Sequence, residues 1–355
     1  MVLKGLITPG ISSVRLSAAP IDPTAAGLQR VANRPIFCHG LERLRDAGVR
    51  EVALVVPADL SRRLQASAVE EAPSDLTLRW FAHNDEDYAA AFAAALASVG
   101  ESPCIVHPPD GFLAKPLGGY LELLGSDAPD LVVLVRESPA EVDSIGLASR
   151  RLLRLAKDGA GTGVGLDLTG VCLFGEGALR RAGETGWSPQ NESGLAAVAE
   201  RLVGDGGLLR IGVVEGWRRY RGRAVDLLDM NRVALDALEQ ETGDIPGDRN
   251  RIEGTVIVHP SASVQASVII GPAIVGPGAL VVESYIGPYT SIGAHAHIEG
   301  AEVERSIILA GASIMHVGGR LVASVVGRDA RVARDFSLPR AMRLNVGDGG
   351  EVVLC

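Results

Sequence analysis

Aromatic residues make up only 4% of this 355-residue chain, so its cores must be built chiefly from Val, Leu, Ile and Ala. No apolar run approaches the roughly 18–20 residues of a membrane-spanning helix, so a membrane is not an expected partner. The net charge is −9 and the chain lacks any basic block, which excludes nucleic acid as an expected partner as well. The amino-terminal stretch lacks the basic, apolar and small-residue order of a signal peptide and reads instead as a first strand. The four cysteines, Cys38, Cys104, Cys172 and Cys355, are far apart and show neither a CxxC pair nor zinc-ligand spacing. They read as reduced, buried thiols of a cytoplasmic protein. Neither a metal nor a cofactor is expected.

What is present is ordinary for globular chains: 47% hydrophobic and 22% charged residues, at a length that suggests two domains. Short apolar strands (Leu3 to Ile7, Glu51 to Val56, Leu76 to Phe81, Cys104 to Val106, Leu131 to Val135) alternate with helical patterns. Among the latter, Ile36 to Ala47 stops at Gly48, and Tyr88 to Ala97 is rich in alanine. This alternation predicts a mainly parallel, Rossmann-like α/β sheet covered on both faces. Ligands of such sheets bind beyond the carboxyl ends of the strands, here the loops after Ile7, Phe81 and Val106.

The period then changes. Asp226 to Glu241 reads as a helix leading out of the α/β domain, and Thr242 to Asn250 as a linker rich in Gly, Pro and Asp. Val258, Val264 and Ile270 are six apart. After a one-residue phase shift follow Val275, Leu280, Ile286, Ile292 and Ile298, then less regularly Val303, Ile308, Ile314, Val326 and Val332. One inward apolar residue in six, with Gly and small residues at the corners, predicts a left-handed parallel β-helix built on hexapeptide repeats. The expected division is 1–235 for the α/β domain, 236–252 for the helix end and linker, and 253–355 for the β-helix with a closing strand, Gly350 to Leu354.

Several segments resemble, in order, those of the sugar-1-phosphate nucleotidyltransferases, in particular the long glucose-1-phosphate thymidylyltransferases of antibiotic-sugar pathways. They are Lys4-Gly5-Leu6-Ile7, Val31-Ala32-Asn33-Arg34-Pro35-Ile36, Gly170-Val171-Cys172-Leu173-Phe174, Gly216-Trp217, Asp226-Leu227-Leu228 with Asn231-Arg232, and Tyr285 to Gly293. The resemblance implies the same two-domain fold and a place in biosynthesis, secondary metabolism included.

At the positions where that family carries its chemistry, the chain departs from it. The glycine-rich phosphate loop reads Gly10-Ile11-Ser12-Ser13-Val14-Arg15-Leu16, with side chains where phosphates would approach the backbone. The phosphate-binding lysine falls on Ala26. Of the two magnesium carboxylates, one survives as Asp110 and the other falls on Tyr220, amid Arg218, Arg219 and Arg221. The base-recognising glutamine becomes His83, and the glycine beneath the base becomes Tyr88, whose ring takes up that volume. On the sugar side Gly146, Lys157 and Glu192 still match the family, while the glutamate before the lysine is Ala156.

Two readings follow from these losses: a binding scaffold that no longer performs nucleotidyl transfer, or an enzyme whose cleft runs acid–base chemistry without metal or nucleotide. An active thymidylyltransferase with atypical site residues is the alternative. For the acid–base reading, His107 and Asp110 are the candidate catalytic pair, three apart on one loop, the carboxylate orienting the imidazole. Arg15, His83, Tyr88, Lys157, Glu192 and Tyr220 are the candidate ligand-binding residues, for a small molecule or biosynthetic metabolite. Plainer roles stand beside each: Asp110 as a turn residue or helix cap, the histidines as hydrogen-bonded surface groups, and the arginines Arg218, Arg219, Arg221 and Arg223 as a solvated loop or edge strand. A homo-oligomer is compatible with all of these.

Overall fold

A computed structural model of the chain describes residues 2–8, 23–84, 86–126, 128–138, 165–184, 192–238, 249–334 and 336. The chain divides into two compact units, Met1–Glu239 and Gln240–Cys355. The expected closing strand from Gly350 lies outside the described residues.

The first unit runs β1 (Lys4–Ile7), α1 (Pro23–Gly27), β2 (Arg30–Val31), β3 (Arg34–Pro35), α2 (Ile36–Asp46), β4 (Glu51–Pro57), α3 (Ala58–Glu71), β5 (Thr77–His83) and α4 (Tyr88–Val99). It continues with β6 (Cys104–His107), β7 (Gly111–Leu113), α5 (Gly118–Ser126), β8 (Leu131–Ser138), β9 (Gly165–Phe174), α6 (Ala178–Glu184) and α7 (Glu192–Gly204). β10 (Leu209–Val213), β11 (Trp217–Arg219) and α8 (Ala224–Asp236) close it. Seven strands form one sheet in the order β10-β8-β9-β6-β1-β4-β5, parallel except for β9, which is antiparallel to both its neighbours. Alternate residues feed two cores: Leu6 and Val106 pack on one face with Phe92, while Ile7 and Ile105 pack on the other with Phe37 and Leu41.

Two of the segments quoted above meet in space. Val31 to Arg34 is a two-residue hairpin whose central Ala32 and Asn33 have φ of 45° and 63°, the geometry of a type I′ turn. The Ala32 N–H donates to the Asn231 side-chain oxygen at 2.8 Å, so α8 holds the hairpin from 199 positions away.

The second unit is the left-handed parallel β-helix. Its strands form three five-stranded parallel sheets, each taking one strand from every coil. Paired partners Arg251, Val268, Tyr285 and Glu302 lie 17 apart, and Arg320 follows after 18. A coil of 17 is one short of three hexapeptides, so one side of the triangle takes a five-residue step. Two inward positions therefore differ from the six-residue expectation. Ile269 and Val281 are fully buried, whereas Ile270 and Leu280 are partly exposed, because neighbouring strand residues face opposite ways. Val264, Val281, Ile298 and Ile314 then stack in register along the prism.

Candidate functional site

The expected crevice lies where β1, β5 and β6 end. β5 runs two residues beyond its expected end and β6 one, so His83 and His107 are the last residues of their strands. Thr8 follows β1 and is 1% exposed. Its Oγ1 lies 3.1 Å from the Tyr88 hydroxyl, a bond that ties the end of β1 to the first residue of α4. The Tyr88 ring stacks on Phe92 at 5.8 Å and takes the His83 imidazole edge-on at 5.0 Å. His83 is itself buried, with Nδ1 against the Asn84 carbonyl at 3.1 Å, and is no surface histidine. Thr8, His83 and Tyr88 thus form a packed polar–aromatic plug on the β5 side.

On the other side stands His107, also fully buried. Its Nδ1 lies 2.7 Å from the Pro108 carbonyl, and its ring packs between Gly40 of α2 and the Trp217 indole. A Cβ at Gly40 would come within 3.0 Å of Nδ1, so α2 approaches as closely as it does because position 40 has no side chain. Burial pushes the imidazole pKa down to about 4, only partly offset by the carbonyl bond. His107 and Asp110 share no hydrogen bond. His107 Nδ1 faces the Pro108 carbonyl, and its Nε2 is buried without a hydrogen-bond partner among the described residues.

Asp110's partner is Arg219. In the antiparallel ribbon of β7 and β11, Arg219 stands opposite Gly111, and its Nε donates to Asp110 Oδ2 at 2.8 Å. The two side chains are 11% and 4% exposed, so the ion pair is shielded from water. The Tyr220 N–H donates to the Asp110 carbonyl at 3.1 Å, which brings these two positions together. Burial, with Asp226 nearby, raises the Tyr220 phenol above its usual pKa. The neighbouring arginines are paired as well, Arg218 with Asp229 and Arg223 with Asp226; Arg218 and Arg219 lie on strand β11, whereas Arg221 and Arg223 are exposed beyond it.

Arg15 and Lys157 lie outside the described residues. Glu192 opens α7, but its side chain is also outside them. Ala26 is buried, beside Gly27, where a Cβ would meet the Pro109 carbonyl oxygen at 2.8 Å. Sequence reasoning missed Thr8 and the pairing of Arg219. An arginine in a run of four carries no mark of its partner, which only the β7–β11 register supplies. Among the described residues, no group of three His, Cys, Asp or Glu side chains could hold a metal ion, and no helix is long and apolar enough to cross a membrane.

No family model matches the chain. Over 352 residues it is 30% identical to a glucose-1-phosphate thymidylyltransferase of Streptomyces griseus, covering 98% of each chain. It is equally similar to the glucose-1-phosphate thymidylyltransferase of Streptomyces antibioticus, 30% identical over 365 aligned residues and 99% of each chain. The chain belongs to the glucose-1-phosphate thymidylyltransferase family. A more distant relative is the low-salt glycan biosynthesis nucleotidyltransferase Agl11 of Haloferax volcanii, 26% identical over 99% of this chain. The segments Val31 to Ile36 and Asn231, which carry the resemblance to this family, meet through the Ala32 to Asn231 hydrogen bond. The magnesium that the family resemblance implies does not fit the residues present: a guanidinium is on the one carboxylate and a phenol replaces the other.

Proposed function

We propose that this member of the thymidylyltransferase family does not perform nucleotidyl transfer, and that its α/β unit serves as a binding body for a metabolite or a protein partner. The observation that carries this reading is the packing of Tyr88. The side chain is 8% exposed, its hydroxyl is bonded to Thr8, and its ring is held between Phe92 and His83. A base laid over the family's glycine at this position needs the volume that the ring takes up. Moving the ring aside would break the Thr8 bond and two aromatic contacts together.

The acid–base reading has less support. A general base serves best with a pKa near the working pH. His107, at about 4, is neutral there, and its Nδ1 is committed to the Pro108 carbonyl.

A second reading, an active enzyme, draws on the similarity to the Streptomyces griseus glucose-1-phosphate thymidylyltransferase across 98% of both chains. One pair of measurements separates the two. Calorimetry with thymidine, uridine, guanosine and adenosine triphosphates plus magnesium is expected to show no micromolar binding. Pyrophosphate release with a panel of sugar 1-phosphates is expected to stay at background. Turnover of any one pair establishes the second reading and overturns the first.

A further inference from the structure

We infer that Arg219 is the resident counter-ion of Asp110, standing where a divalent cation would sit between residues 110 and 220, and that the cleft therefore works without such a cation. The inference rests on the proposed function only for the alignment of Asp110 and Tyr220 with the family's two metal carboxylates. The rest comes from the geometry of one ribbon.

The β7–β11 register places Arg219 opposite Gly111, next to Asp110, and the Tyr220 N–H on the Asp110 carbonyl fixes the next residue beside it. The guanidinium Nε meets Asp110 Oδ2 at 2.8 Å, the length of a charge-assisted hydrogen bond. With Asp110 almost fully buried, its attraction to Arg219 is weakly screened.

The charges balance in the same way. Two carboxylates and a divalent cation sum to zero. One carboxylate, one guanidinium and a neutral phenol also sum to zero. A divalent cation at Asp110 would lie next to the Arg219 guanidinium in a shielded site, where like charges repel strongly. With tyrosine at 220 where the resemblance implies an aspartate, the Arg219 guanidinium supplies the positive charge beside Asp110.

Mn²⁺ alone is the probe, with electron paramagnetic resonance to count bound ion and thermal unfolding to read its effect. No nucleotide is present, so the outcome is separate from any turnover result. The wild-type protein and Tyr220→Asp are expected to show no bound Mn²⁺ and an unchanged midpoint, since Arg219 still occupies the place. The double variant Arg219→Gln, Tyr220→Asp is expected to bind one Mn²⁺ and to gain about 5 °C at roughly hundredfold saturation. Folding of the double variant only when Mn²⁺ is supplied would be the same result. Stoichiometric Mn²⁺ on the wild type or on Tyr220→Asp would overturn the inference, because the guanidinium would then not exclude the ion. A folded double variant that binds none would overturn it too. Should that variant not fold under either condition, the Tyr220→Asp measurement decides alone.

Discussion

His107 and His39 are fully buried imidazoles whose folded pKa values are pushed down to about 4, in both cases chiefly by burial. Each keeps one ring nitrogen near a carbonyl, His39 to Val31 at 3.0 Å and His107 to Pro108 at 2.7 Å. The unfolded chain takes up these protons near pH 6.5, while the folded one resists until about pH 4. Stability from the two groups is therefore full above pH 6.5 and is lost as pH falls toward 4, by on the order of 2–3 kcal/mol per imidazole. Urea midpoints measured from pH 7.5 to 4.5 should fall, and His107→Gln should flatten part of that slope. A midpoint that stays level over this range would contradict neutral burial. The residue types at these positions were visible beforehand. Their burial was not, since a histidine ending an apolar strand, like His107, or lying on a helix, like His39, can face either way.

Among the elements, the short ribbon of β7 and β11 has the largest share in the site, because it places Asp110, Arg219, Tyr220 and Trp217 together. Its close packing depends on one missing side chain: a Cβ at Gly111 would run into the Trp217 ring, which is buried against the α2 side of the sheet. Gly111→Ala should therefore cost about 1–3 kcal/mol through overpacking and shift the ribbon's register against Asp110. Chemical denaturation reads the first effect and Trp217 fluorescence the second. Unchanged stability would mean that the ribbon is looser than described. Three-residue strands of this kind leave almost no periodic signal, so neither was expected. The longer elements β4, α2 and α4 start and stop within a few residues of the expected positions, whereas the fourteen-residue α3 was not among the expected helices.

At the scale of the whole molecule, the β-helix is a stack in which each coil packs on its two neighbours. Ile298 is fully buried at its centre, between Val281 and Ile314. Ile298→Ala should cost about 2–5 kcal/mol, because coils on both sides keep the cavity from closing. Ile270→Ala, at a partly exposed position, should cost clearly less. Thermal unfolding of the two variants compares them directly, and equal losses would return the inward role to Ile270 and with it an unbroken hexapeptide period. The same corners carry positive-φ residues that are not glycine, Glu283 and His295 among them, at φ of 47° and 55°. Corner geometry in this prism is thus set by stacking from coil to coil as well as by residue type.

The sequence by itself determined the two architectures and their order. Hydrophobic period is a local property, and it changes from strand–helix alternation to near-hexapeptide repeats at the boundary between the units. It also marked Ala26, Tyr88 and Tyr220 as positions where the family resemblance implies other residues. Only the tertiary structure decided what became of those positions. Tyr88 reaches Thr8 across 80 positions and Arg219 reaches Asp110 across 109. Partners so far apart in the chain are chosen by sheet order and register, and neither is a property of any one segment.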